Sequence, residues 1–323
     1  MDLEARLTVL GSLNIDISVT VPALPGPGAT VLGGAAAIAP GGKGANQAVA
    51  AARLGADSGI RVRMVGCVGD DDFGRTLRET LTSEGIDDRA VRTVAGAPTG
   101  IAMITVDESG ENMITVAPGA NHEVGAPEIA ALSQRAAGQA RVLVISAEVP
   151  VPAILAALGT ASAPLTVLNL APAPPGEAAA AILNARPDWL VVNESEAAAV
   201  LGRPVGGLAE AARAAAGLVA AGARNAVVTA GAAGAAYQCE DRASSRTVPA
   251  FPVRAVDTVG AGDTFVGALA IALAGGIAPG EAVTAAAAAG ATAAASPGTQ
   301  PGMPRPVDIR AVTRFAWPLS PVK

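Results

Sequence analysis

Residues 140–159 read ARVLVISAEVPVPAILAALG, and the fold is decided here. Val142–Ile145 is an unbroken aliphatic run, the pattern of a strand buried on both faces. A proline-marked break follows, and then the alanine- and leucine-rich VPAILAALG predicts a helix. The same unit repeats along the chain. LTVLNLAP (165–172) is a strand before the helix GEAAAAILNA (176–185), and DWLVVNE (188–194) is a strand before the helix SEAAAVLG (195–202). The helix LAEAARAAAGLVAAGA (208–223) leads into the strand NAVVTAG (225–231). Short apolar strands alternating with Ala-rich helices predict βαβ units: an α/β fold with a doubly wound, mainly parallel sheet and helices on both faces.

The N-terminal part keeps the alternation with an interruption. RLTVLGS (6–12) and RVRMVGCVGD (61–70) are strands, and GANQAVAAARLGA (44–56) and DFGRTLRETLTSEG (72–85) are helices. Between them, residues 15–40 carry Pro/Gly turns and short alternating stretches. TGIAMITVD (99–107) and ENMITVAPGAN (111–121) flank ESG as a hairpin. These segments, about 15–40 and 98–118, predict a small antiparallel β lid on a single domain spanning 1–323.

Composition narrows the function. Apolar residues make up 51% and charged residues 15%, a globular balance. Net charge is −6 and aromatics are 2%, against a nucleic-acid surface, which needs a basic face and stacking rings. Asn14 and Asp16 interrupt the N-terminal apolar stretch, so neither a signal peptide nor a membrane span is expected, and the expected location is the cytoplasm. With one histidine (His122) and two cysteines (Cys67 and Cys239), a zinc site of the usual His/Cys type is excluded, and both thiols read as buried. The only lysines are Lys43 and the terminal Lys323; every other base is arginine. Lys43 lies in the glycine-rich PGGKGANQA, where a compact ammonium fits a site that a forked guanidinium would not. An ordinary solvated lysine is the alternative.

Polar residues gather at the ends of predicted strands: Asn14, Asp70, Glu148, Asn193, Glu194 and Thr229. In an open α/β sheet that edge binds ligands. DTVGAGDTF (257–265) adds an anion site by mechanism. Gly-Ala-Gly at a helix start offers unpaired amides and the positive end of a helix dipole. Asp263 follows in the first turn, where it would be an ordinary capping acid or a base that deprotonates a hydroxyl approaching a bound phosphate, the layout of phosphoryl transfer. Neither G-x-x-x-x-G-K-[ST] nor a strand-placed G-x-G-x-x-G is present, which weakens the usual nucleotide motifs and a nicotinamide oxidoreductase.

GGKGANQAVAAARLGA (41–56) and DTVGAGDTFVGAL (257–269), about 210–220 residues apart, resemble the two signatures of the ribokinase family of sugar and nucleoside kinases, and the likeness runs from VLGSLNIDI to GTQPGMP. The resemblance implies magnesium-dependent transfer from ATP to the 5-hydroxyl of D-ribose. A kinase for another small sugar or a nucleoside, or a non-catalytic sugar sensor, are the alternatives. It implies sugar contacts from Asn14, Asp16, Gly42, Lys43, Asn46 and Glu148, with Asp263 as base and Gly260, Ala261 and Gly262 as the anion hole. Asn193 and Glu196 would meet phosphate and magnesium-bound water, and Thr229, Gly231 and Gly234 would lie under the nucleotide. A potassium ion would take the Asp257 carboxylate and carbonyls of Val259, Ala293, Ser296 and Gly298, although Asp257 also reads as a turn aspartate. Gly302, near that loop, replaces a frequent serine, and Ala287 replaces a larger polar residue near the adenine. Exposed lid edges, and the family's habit of pairing lids, imply a homodimer.

Overall fold

In the computed structural model, residues 5–133, 140–160 and 165–319 are described; Lys323 lies outside them. The strands are β1 (Ala5–Leu10), β2 (Asn14–Val21), β3 (Ala37–Gly41), β4 (Arg61–Gly69), β5 (Asp87–Val94), β6 (Gly100–Asp107), β7 (Asn112–Ala117), β8 (Val142–Ser146), β9 (Thr166–Asn169), β10 (Trp189–Asn193), β11 (Asn225–Thr229), β12 (Gly234–Cys239) and β13 (Arg246–Pro249). The helices are α1 (Lys43–Gly55), α2 (Asp72–Ser83), α3 (Ala126–Ser133), α4 (Val151–Leu158), α5 (Glu177–Asn184), α6 (Glu194–Leu201), α7 (Gly207–Ala220), α8 (Ala261–Ala274), α9 (Pro279–Ala294), α10 (Thr299–Gly302) and α11 (Pro306–Thr313).

Among the described residues, nine strands form one sheet in the order β13-β12-β11-β10-β9-β8-β1-β4-β5. From β5 to β11 every pairing is parallel; β12 and β13 close one edge antiparallel. All five residues of β8 are buried, as a strand covered on both faces requires. Alternate side chains go to opposite faces. Leu7, Val9, Val142 and Val144 join one core with α1, α8 and α9. Leu10, Leu143 and Ile145 join another with α4, α5 and α7. The doubly wound reading therefore holds, with helices on both faces.

A second sheet runs β3-β2-β6-β7. Its outer pairs, β2–β3 and β6–β7, are antiparallel, and they meet along a parallel seam between β2 and β6. The seam is parallel because each segment enters the small sheet on leaving the large one: β2 after β1, β6 after β5. VRAV (253–256), before DTVGAGDTF, has an apolar, strand-like sequence but is irregular chain. Its Val256 amide and the next, Asp257, donate to the Ala294 carbonyl at the end of α9, at 2.8 and 3.2 Å, so no strand partner takes them. No helix among the described residues is long and apolar enough to cross a membrane.

Candidate active site

The site lies where α1, α8, the start of β2 and the carboxyl ends of β8–β11 meet. Gly42 caps α1, so Lys43 opens that helix, with Asn46 one turn on. Gly260 caps α8 in a left-handed conformation (φ 80°) that a side chain would disfavour. A Cβ built on Gly262 meets nothing within 4 Å, so the helix start is open there beside Asp263, whereas the Ala261 amide, expected to be unpaired, donates to the Thr258 carbonyl at 3.3 Å.

Asp263 is buried. Its Oδ2 accepts from Asn46 Nδ2 at 3.0 Å and its Oδ1 from Gln47 Nε2 at 3.0 Å, bringing together residues 217 positions apart. Asn14 is buried at the start of β2, where its Oδ1 accepts from Asn121 Nδ2 at 2.7 Å; its own amide N–H groups are what it has left to offer a ligand. Glu148 Oε2 accepts from Ser12 Oγ at 2.6 Å and from the Lys43 amide at 3.3 Å.

Charges concentrate here. Burial, then the neighbouring Glu148 and Asp263, push the Asp16 carboxyl up to about 7 against the pull of Lys43. Asp263 first, then Glu148, Glu196 and Asp16, hold the Lys43 ammonium above its ordinary range despite burial. Burial raises Glu196, with Lys43 opposing. One ammonium thus stands among four carboxylates, contributed by β2, the loop after β8, α6 and α8.

Asn193 and Glu196 form a capping box on α6: Asn193 N donates to Glu196 Oε2, and Glu196 N to Asn193 Oδ1, each at 2.8 Å. Thr229 stands opposite Asn193 in the parallel β10–β11 register. Gly231 and Gly234 follow in the turn into β12, both with positive φ. Asp257 ties two loops together, its Oδ1 accepting from Val259 N at 2.9 Å and its Oδ2 from Gly298 N at 3.0 Å. Ser296 N donates to Ala293 O, and Gly302 N to Gly298 O, both at 3.0 Å. A Cβ at Gly302 would come within 3.3 Å of the Ser296 and Pro297 carbonyls. Ala287 is partly buried against the core.

Gln47, Asn169 and Gln300 escaped the sequence reading, as did Ser12 and Asn121, which donate to Glu148 and Asn14. Gln47 stands inside the first motif and is fully buried, and a glutamine on the buried face of an alanine-rich helix was the available signal. Cys67 and Cys239 are buried free thiols, as expected; burial, then Glu128, pushes Cys67 up to about 12. His122 is exposed. Among the described residues no cluster of three or more His, Cys, Asp or Glu side chains could hold a metal ion.

An open helix start beside a buried carboxylate, at the ligand edge of a doubly wound sheet, is the layout of a small-molecule kinase. The chain belongs to the pfkB family of carbohydrate kinases, whose profile matches residues 4–306. It is 37% identical over 273 residues to the ribokinase of Haemophilus influenzae, covering 84% of this chain and 86% of that one. The Thermotoga maritima ribokinase structure superposes with a TM-score of 0.81 at 32% identity, covering 95% and 98% of the two chains. The Arabidopsis thaliana ribokinase, solved with ribose and ATP, gives 0.81 at 27% identity over 97% and 100%.

Proposed function

We propose that this chain is an ATP-dependent ribokinase, converting D-ribose and ATP into ribose 5-phosphate and ADP, on a single domain whose small sheet serves as a lid. The observation that carries this reading is Asp263, oriented by Asn46 and Gln47 at the first turn of α8 beside the open helix start at Gly262. Asn14, Asp16, Gly42, Lys43, Asn46 and Glu148 hold the sugar hydroxyls. The carboxylates accept, and the amides and ammonium donate. A sugar lacking a hydroxyl leaves such groups unpaired, which is the basis of rejection. Asp263 takes the proton of the 5-hydroxyl as its oxygen bonds to the γ-phosphorus and the bond to the β-phosphate oxygen breaks. The amides of Gly260, Ala261 and Gly262 hold the charge developing on the transferred group.

Asn193, Glu196, Thr229, Gly231 and Gly234, with Gly262, lie along the edge where the nucleotide binds. Glu196 would be the protein's contact to magnesium through its waters, because a hydrated divalent ion needs few protein ligands, and the ion would supply positive charge to offset that of the phosphates. The Asp257 carboxylate and the carbonyls of Val259, Ala293, Ser296 and Gly298, beside Gly302, are an all-oxygen set that fits a weakly hydrated monovalent cation such as potassium. When bound, it fixes the carbonyl directions of the turn before the anion hole. The enzyme works in the cytoplasm as a homodimer paired through its lids.

A coupled ADP-release assay over pentoses, hexoses, ketoses and nucleosides tests the assignment. D-Ribose is expected to give the highest kcat/KM, and a preference for fructose or adenosine overturns it.

A further inference from the structure

Asp263 is held by more than its two direct contacts. Gln47 Nε2, which donates to Asp263 Oδ1, also donates to Asn169 Oδ1 at 2.9 Å, and Asn169 Nδ2 donates to the Val191 carbonyl of β10 at 3.1 Å. On the other side, Gln300 Nε2 donates to Asn46 Oδ1 at 3.0 Å, so that Asn46 turns its Nδ2 to Asp263 Oδ2. Gln300 is itself fixed. Arg53 Nη1 donates to its carbonyl at 2.6 Å and to that of Met303 at 2.8 Å, while the same guanidinium grips Glu84 through two bonds.

The direction of the first relay follows from its far end. A backbone carbonyl can only accept, so Asn169 must give it the NH2 and keep its oxygen for Gln47. Gln47 must then present its own NH2, one hydrogen to Asn169 and one to Asp263. Its Oε1 is left buried without a hydrogen-bond partner. Turning the amide over would set Oε1 against two acceptor oxygens, so the orphaned atom marks an orientation imposed by the surroundings. Asn14, Asp16 and Lys43 face the ligand directly, whereas Gln47, Asn169 and Gln300 stand behind Asp263 and Asn46.

Helix packing holds the relay at this range. Gly267 lies one turn after Asp263 on the same face of α8, and a Cβ there would come within 2.6 Å of the Gln47 carbonyl and 2.8 Å of Ala50 Cβ. The missing side chain lets α1 approach α8 closely enough for Asn46 and Gln47 to reach the carboxylate.

We propose that Gln47, Asn169 and Gln300 are positioning residues, which clamp the Asp263 carboxylate from both oxygens so that a lone pair stays aimed at the incoming hydroxyl. The inference rests on Asp263 acting as the base. Releasing one arm lets the carboxylate turn about its Cβ–Cγ bond, and small misplacements of a reacting group cost up to about 100-fold in rate.

The test is a double-mutant cycle between Gln47→Leu and Asp263→Asn, run on whichever sugar the wild-type enzyme phosphorylates best. Gln47→Leu is expected to lower kcat about 10- to 100-fold with the sugar KM within about 3-fold of wild type. In the Asp263→Asn background the same change is expected to cost almost nothing more, because its effect passes through Asp263. Multiplicative losses in the double variant, or a raised KM at full kcat, overturn the clamp while leaving the base intact. Near-normal turnover by Asp263→Asn overturns the base reading itself. If Gln47→Leu does not fold, Asn169→Ser and Gln300→Leu enter the same cycle, with the same two outcomes deciding.

Discussion

At Asp263 both carboxylate oxygens are engaged by side-chain amides while the helix start beside it is open at Gly262. That arrangement suits an acceptor of protons better than a helix cap, which would use an oxygen on its own helix amides. Asp263→Asn keeps the size and loses the base, so kcat is expected to fall on the order of 10²–10⁴-fold with sugar binding retained; calorimetry with sugar alone, beside steady-state kinetics, separates the two. Asp16 offers a different handle. Its carboxyl is raised from 3.8 to about 7 in the folded chain, so between those values the native state holds more protons than the unfolded state. Stability from this group is fully present below about pH 4 and is lost as pH rises through about 7. Melting temperatures of wild type and Asp16→Asn across pH 4–8 check this. The wild type is expected to lose stability relative to the variant by about 1–3 kcal/mol over that window, and parallel curves would count against it. Removing the acceptor altogether in Asp16→Ala is expected to weaken sugar binding by about 1–3 kcal/mol with ATP affinity little changed.

At the scale of elements, the loops 257–259 and 296–302 form one unit. Asp257 spans them through Val259 N and Gly298 N, and the second loop reaches the base through Gln300 and Asn46. Whatever fixes these loops therefore acts on the proposed anion hole and the proposed base together. Activity titrated with potassium chloride against sodium chloride at constant ionic strength is expected to rise more with potassium, chiefly in kcat, and Asp257→Ala is expected to abolish the difference. Superimposable curves for the two salts refute the cation site. Gly302 leaves the Ser296 and Pro297 carbonyls without a neighbouring hydroxyl, so Gly302→Ser is expected to strengthen the activation.

For the molecule as a whole, the small sheet is the part with unfinished surface. Along its strands, register sets Ile17 between Ile38 and Met103, on the face opposite Asp16. Ile38 is 62% exposed and Met103 49%, with Met113, on the same face, also at 49%. An apolar face of this kind on a short sheet marks an interaction surface. Paired lids are expected to give a homodimer by light scattering at micromolar concentration, and Met103→Glu with Met113→Glu is expected to shift it toward monomer and raise the sugar KM. A fully active wild-type monomer would count against the dimer.

The amino-acid sequence by itself determined the sheet-and-helix alternation, the two glycine-rich motifs and the chemistry available to Asp16, Lys43, Glu148 and Asp263. Local physics suffices there: burial on both faces writes continuous apolar strands, and a bare helix start writes glycine. The edge strands β5 and β13 were less legible, because one side of each strand is shared with solvent or loops and the pattern blurs. VRAV shows the reverse, an apolar stretch that forms no strand; the Val256 amide goes instead to the Ala294 carbonyl at the end of α9. Only the tertiary structure decided which amides meet the base. Gln47, Asn169 and Gln300 lie on α1, β9 and α10, and apart from the place of Gln47 on the buried face of an alanine-rich helix nothing local distinguishes them from ordinary polar residues. Their role comes from α1 packing against α8 across Gly267, which turns distant positions into hydrogen-bond partners, and, for Asn169 and Gln47, from the fixed direction of the Val191 carbonyl, which sets the donors of that arm.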